Sequence, residues 1–128
     1  MELLTVVTML ALLEFVYFGM KVGASRGKFG IKAPATTGNE IFERYYRVHY
    51  NTLEQLVIFI PGLWGFGYYI GQYWAAGLGV VYLGGRLLYA NFYYRDPEKR
   101  GTGMLLSVIP CWVLVLGALI GAVVHYFS

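Results

Sequence analysis

Four apolar runs dominate this chain, at roughly Leu3–Val22, Leu53–Ile70, Trp74–Ala90 and Gly103–Phe127. Each approaches the ~20 residues that an α-helix needs to cross the hydrocarbon core of a bilayer. Backbone groups in lipid must be satisfied within the segment, so runs of this length are expected to be helices. Composition agrees, with 58% hydrophobic and only 13% charged residues, against about a quarter charged in soluble domains. The expected fold is an all-α integral membrane protein, a four-transmembrane-helix bundle forming one domain over residues 1–128. The first run follows Met1-Glu2 with no basic segment before it, so it reads as a retained span and not as a signal peptide. Cys111 is the one cysteine and sits in an apolar run, which excludes an intrachain disulfide and points to a small packing residue.

The ten basic residues are segregated. Lys21, Arg26, Lys28, Lys32, Arg44 and Arg47 flank the first connection, and Arg86, Arg95, Lys99 and Arg100 flank the third. The second connection, near Gly71-Gln72-Tyr73, has none. The positive-inside rule therefore places both basic loops in the cytoplasm and both termini on the opposite side. The net charge of +3 is a one-sided field at helix ends. No basic-aromatic motif accompanies it, so no nucleic-acid partner is expected.

The second helix is expected to start near Glu40, where Thr36-Thr37-Gly38-Asn39 supplies turn and cap chemistry and Thr37 with Glu40 fits a capping box. A helix from there to about Gly71 is ~45 Å long at 1.5 Å per residue, longer than the bilayer core. Its first turns then project into the cytoplasm. Pro61 is expected to kink it, and Pro110 the fourth helix. Asp96-Pro97-Glu98 reads as another helix start, with Arg100 about one turn inside. Gly19–Gly23, Gly67–Gly71 and Gly117–Gly121 are spacings that let helices approach closely. Glu14 stands alone in the first run, where an acid is costly. It fits a polar contact between subunits, a neutral hydrogen-bonded group or part of a functional path.

The projecting turns carry the densest chemistry. Arg47, Asn51 and Glu54 fall at i, i+4 and i+7 and share one helix face, with Glu43 one turn earlier. A guanidinium, an amide and a carboxylate on one stripe can grip a small zwitterion. Arg86, Tyr89 and Tyr93 make a second stripe at i, i+3 and i+7.

The series Glu43-Arg44, Arg47, Asn51, Glu54 resembles the signature of the MAPEG superfamily, the membrane-associated proteins in eicosanoid and glutathione metabolism. The resemblance extends to Pro34-Ala35-Thr36-Thr37-Gly38 and to Tyr82–Tyr89 with Tyr93 following, and so covers nearly the whole chain. It implies a homotrimer with glutathione held between neighbouring subunits on the cytoplasmic side, open to membrane lipids. Arg47, Asn51, Glu54, Tyr89 and Tyr93 are implied to hold the tripeptide. Arg86, Arg26 and His49 fall where the leukotriene branch also lines that site. Arg100 matches the catalytic arginine of the leukotriene C4 synthase and microsomal glutathione transferase branches. Gly27 replaces a second consecutive arginine of leukotriene C4 synthase, and Gly101 a serine of the prostaglandin E synthase branch. Both departures argue against those eicosanoid specificities.

The residue chemistry is compatible with such a ligand. Arginines suit the two carboxylates of glutathione, Glu54 suits its ammonium, and the tyrosines suit its amides. A free thiol, with a pKa of ~8.5, is mostly un-ionised at neutral pH. A nearby arginine stabilises the thiolate, and a helix start adds to the effect. The expected activity is conjugation of glutathione, as co-substrate, to a hydrophobic electrophile, with reduction of lipid hydroperoxides as a side activity and no metal. The alternative is a non-catalytic protein of the same fold that binds lipid or presents a partner, like the five-lipoxygenase-activating branch. Retention of Arg100 disfavours it. A small channel or transporter is a third class, weakened by the near absence of charge within the runs.

Overall fold

A computed structural model describes residues 1–128 as four helices: α1 (Glu2–Phe29), α2 (Glu40–Tyr69), α3 (Gln72–Arg95) and α4 (Gly101–Phe127). A 3-10 turn, Pro97–Arg100, leads into α4. The expected all-α bundle is present. α1 and the run Pro97–Phe127 are each long and apolar enough to cross a membrane. The polar first turns of α2 and the tyrosine- and arginine-bearing end of α3 dilute the apolar character of those two helices. Large apolar side chains stand exposed along the bundle, among them Leu13 at 62%, Val57 at 69% and Ile120 at 61%. A continuous apolar exterior of this kind needs lipid or protein to cover it.

Each end has a local cause. α1 stops at Gly30, whose φ of 70° is left-handed and suits glycine, and Ile31 N–H returns to the Arg26 carbonyl at 3.0 Å. α2 starts at Glu40 as expected, but the cap differs from the Thr37–Glu40 box. Asn39 stands immediately before the helix, and its Oδ1 accepts from Ile41 N–H at 2.9 Å and Phe42 N–H at 3.0 Å. That leaves Glu40 free to pair with Arg44 at 3.1 Å. Only Ile70 and Gly71 separate α2 from α3, which makes the tight antiparallel hairpin the sequence suggests. Asp96 accepts from Glu98 N–H at 3.1 Å, with Pro97 in the first position. The helix expected there begins as the 3-10 turn, so Arg100 ends that turn instead of lying a full turn inside α4. Pro61 and Pro110 lie within unbroken helices.

The main core joins all four helices. Leu4, Val7 and Ala11 of α1 meet Phe59 and Leu63 of α2, Tyr82 of α3, and Cys111 and Leu114 of α4. Phe59 and Tyr82 stack with centroids 3.9 Å apart. Nearer the basic end, Phe18, Val48, Tyr89 and Ala90 form a second cluster. Glycines set the α3–α4 spacing: a Cβ on Gly85 would lie 2.7 Å from the backbone of Leu106, and one on Gly103 would collide with the backbone of Tyr89. The two backbones are therefore almost in contact beside Tyr89. Arg44 ties α2 to the end of α3, donating to the carbonyls of Tyr94 and Arg95 at 3.1 Å each. These links hold the start of α2, the end of α3 and the start of α4 as one unit.

Candidate functional site

A cleft of about 490 Å³ opens where those three segments meet. From α2 it is lined by Arg47, Tyr50, Asn51 and Glu54, one stripe produced by the helical repeat. Tyr89 and Tyr93 of α3 supply an aromatic wall, and Arg100 and Met104 close the far side. The volume is within the range of small-molecule sites.

The electrostatics are unusual for a surface cleft. The two ion pairs of the chain are Met1–Glu2 and Arg44–Glu40. Arg47, Glu54 and Arg100 thus carry full charges with no intrachain ion-pair partner, around one cavity. All three are exposed, while Tyr89 behind them is 3% exposed. The Oδ1 of Asn51 is buried without a hydrogen-bond partner. An unmet acceptor in the lining of a cleft calls for a donor from outside the chain. Arg100 donates through Nη1 to the Pro97 carbonyl at 2.6 Å, which fixes its guanidinium near the start of α4.

Six of the nine residues singled out in the sequence converge here: Arg47, Asn51, Glu54, Tyr89, Tyr93 and Arg100. The other three lie elsewhere in the chain. Arg86 is fully buried, donates through Nη2 to Thr52 Oγ1 at 2.8 Å, and has its guanidinium 4.4 Å from the centre of the Tyr89 ring. It supports the lining from behind without entering it. Arg26 donates to the Ala35 carbonyl at 2.7 Å and lies 4.9 Å from the Phe42 ring centre, bracing the loop after α1. His49 stacks on Phe15 of α1 at 4.4 Å and 16°. Burial there holds its pKa below the ordinary histidine value. Arg44, within the signature, is the α3 cap described above, and Glu43 turns back to Gly38 N–H at 3.4 Å.

Two lining residues escaped sequence reasoning. Tyr50 is three residues after Arg47, and Met104 four after Arg100, so the helical spacing already contained the signal. Glu14 also acquires a neighbour. Its Oε1 is buried without a hydrogen bond, and it lies within electrostatic reach of Arg86, a charge 72 positions along the chain that spacing alone cannot reveal.

The model of the MAPEG family matches residues 3–120. The chain is 50% identical over 114 residues to an uncharacterized protein of Synechocystis sp., covering 89% of this chain and 83% of that one. It is 41% identical over 120 residues to microsomal glutathione S-transferase 2 of Homo sapiens, covering 94% and 80% respectively. It is 36% identical over 124 residues to leukotriene C4 synthase of Bos taurus, covering 97% and 83%. On a match that spans nearly the whole sequence, this chain belongs to the MAPEG family.

Proposed function

We propose that this protein is a membrane glutathione transferase that joins glutathione to hydrophobic electrophiles arriving from the bilayer. The observation that carries the proposal is the set of unneutralised charges, Arg47, Glu54 and Arg100, around one tyrosine-walled cleft. Glutathione has two carboxylates, one ammonium and one thiol. Arg47 binds a carboxylate through paired donors, Glu54 takes the ammonium, and Asn51 with the two tyrosines holds the peptide groups. The name of the relative at 41% identity, microsomal glutathione S-transferase 2, supports the same substrate.

Arg100 is assigned to the thiol. A guanidinium stays charged at any working pH, so it stabilises the thiolate without competing for the proton. The thiol proton leaves to solvent, and the thiolate sulfur attacks the electrophilic carbon. With a chlorinated aromatic substrate, the S–C bond forms as C–Cl breaks and chloride departs. In the peroxidase side activity the same thiolate would attack a hydroperoxide oxygen, and the O–O bond would break to release the alcohol after protonation. A second glutathione would then convert the resulting sulfenic acid to glutathione disulfide and water. The cleft accounts for the tripeptide, and the exposed apolar surface nearby, including Leu53 and Val57, accounts for a lipid-borne second substrate.

The assembly belongs to the proposal. In a homotrimer, Arg26 and His49 would reach a neighbour's cleft and join the six residues that one chain contributes there, with Arg86 standing behind the lining. Both basic loops lie in the cytoplasm in this arrangement, with both termini across the membrane. Detergent-purified protein should conjugate glutathione to chlorodinitrobenzene and run as a trimer in native mass spectrometry. Tight retention of lipid with no conjugation would select the non-catalytic alternative. A dominant monomer that still turns over would remove the shared site.

A further inference from the structure

A second cavity, of about 180 Å³, lies between the end of α1 and the start of α2, apart from the cleft. Its α1 wall carries Lys21, Ser25 and Lys28, spaced i, i+4 and i+7 on one face, and Tyr45 faces them from α2. Arg26 points off this face, about 140° around the helix from Lys21 at 100° per residue. We infer that this cavity binds the phosphate of an anionic membrane phospholipid headgroup, with the acyl chains lying along α1.

Three independent observations carry the assignment. Neither lysine has a carboxylate partner, since the chain's two ion pairs lie elsewhere. The Lys21 ammonium is instead held among aromatic rings, 5.3 Å from the Tyr17 centre, 5.5 Å from Tyr94 and 6.0 Å from Tyr45. Ring faces attract a cation but do not cancel its charge. The cavity therefore keeps its positive potential.

Ser25 is the second observation. It is 5% exposed, and its Oγ is buried with no hydrogen-bond partner. A buried hydroxyl without a partner is costly unless something meets it. A phosphate oxygen accepts from that hydroxyl and from the Tyr45 phenol, while the two ammoniums neutralise the charge. The space is several times the ~30 Å³ of one water.

The third observation selects a lipid as the source of the phosphate. Leu10, Leu13 and Tyr17 precede Lys21 on the same α1 face and are 48%, 62% and 48% exposed. An apolar stripe that ends in two unpaired lysines matches an amphiphile with an anionic head and apolar tails. A free phosphate has no use for the stripe. The trimethylammonium of a choline lipid would be repelled by the lysines.

Native mass spectrometry of the full chain in mild detergent tests this, using phosphatidylglycerol, phosphatidylcholine and inorganic phosphate as probes. Phosphatidylglycerol should be retained at least about tenfold better than phosphatidylcholine, and the preference should fall as salt rises. Lys28→Gln, at an exposed position, should weaken phosphatidylglycerol binding about fivefold. Lys21→Gln/Lys28→Gln should abolish the preference, whereas Lys21→Arg/Lys28→Arg should keep it. Equal binding of the two lipids, or a preference that survives the glutamine pair, overturns the inference. Inorganic phosphate binding as tightly as phosphatidylglycerol overturns the lipid as source. A glutamine pair that changes the oligomeric state but not lipid binding gives this face to a second copy and also overturns it.

Discussion

The Arg86 guanidinium lies 4.4 Å from the centre of the Tyr89 ring, and Tyr89 in turn lines the cleft. A fully buried cation thus backs an aromatic wall of the candidate site. Its Nη2 bonds Thr52, while Nε and Nη1 have no hydrogen-bond partner, and Glu14 on α1 is the acid within electrostatic reach. Three helices meet through this one side chain.

Removing Arg86 should therefore destabilise the bundle more than it disturbs ligand contacts. A hydrogen bond from a charged donor such as Arg86 to Thr52 is worth about 1.5–3 kcal/mol, and its loss also leaves the buried Thr52 hydroxyl and the nearby Glu14 without the guanidinium. Arg86→Met should lower the melting temperature in detergent, and Arg86→Met/Glu14→Gln should recover part of the loss. A double variant no more stable than Arg86→Met would break the link between the two residues.

Gly103 makes a different demand on the same region. Any Cβ there meets the backbone of Tyr89, which no rotamer change relieves. Gly103→Ala should force α4 away from α3, at about 1–3 kcal/mol. Because Tyr89 and Arg100 flank that contact, the variant should also weaken glutathione binding. Unchanged stability and unchanged binding together would mean that the two backbones separate without consequence.

Much of this arrangement was legible in the sequence because it is periodic. The apolar runs locate four helices, and the 3.6-residue repeat puts Arg47, Asn51 and Glu54 on one face. Tyr89, Tyr93 and Arg100 joined them through the resemblance to a family signature. What stayed hidden depends on which side chain wins a local competition, or on contacts far apart in the chain. Asn39 displaced Thr37 as the cap because it stands directly before the helix. Arg44 stands inside the signature series, yet it caps the carboxyl end of α3, fifty residues away. The Glu14–Arg86 relationship depends on how α1 packs against α3, which hydrophobic spacing does not encode.

Binding energy should concentrate in the stripe on α2. Arg47→Ala and Glu54→Ala each leave one charge of glutathione without its partner. A charged hydrogen bond is worth about 1.5–3 kcal/mol, so each variant should bind glutathione roughly 10- to 150-fold more weakly. Both side chains are exposed, so neither change should lower the melting temperature appreciably. Calorimetry that finds the wild-type affinity in both variants would remove the stripe from the site.

Arg100 should behave differently from the stripe, because charge develops at the thiol and not at the ends of the tripeptide. Its guanidinium is anchored by the Pro97 carbonyl at the entry to α4, and it faces the cleft that Arg47 and Glu54 line. A group that acts mainly on the thiolate lowers turnover when removed and leaves the grip on the substrate largely intact. Arg100→Ala should therefore cut kcat strongly while the affinity for glutathione changes little. The direct probe is the ultraviolet absorbance of bound thiolate, followed against pH. A cation beside the thiol favours its ionised form, so the wild type should ionise glutathione at lower pH than the variant. A downward shift of two pKa units would correspond to ~2.7 kcal/mol of thiolate stabilisation. If wild type and Arg100→Ala titrate at the same pH, activation of the thiol passes to another group. Arg26, which the proposed trimer would bring to a neighbour's cleft, would then be the first to test.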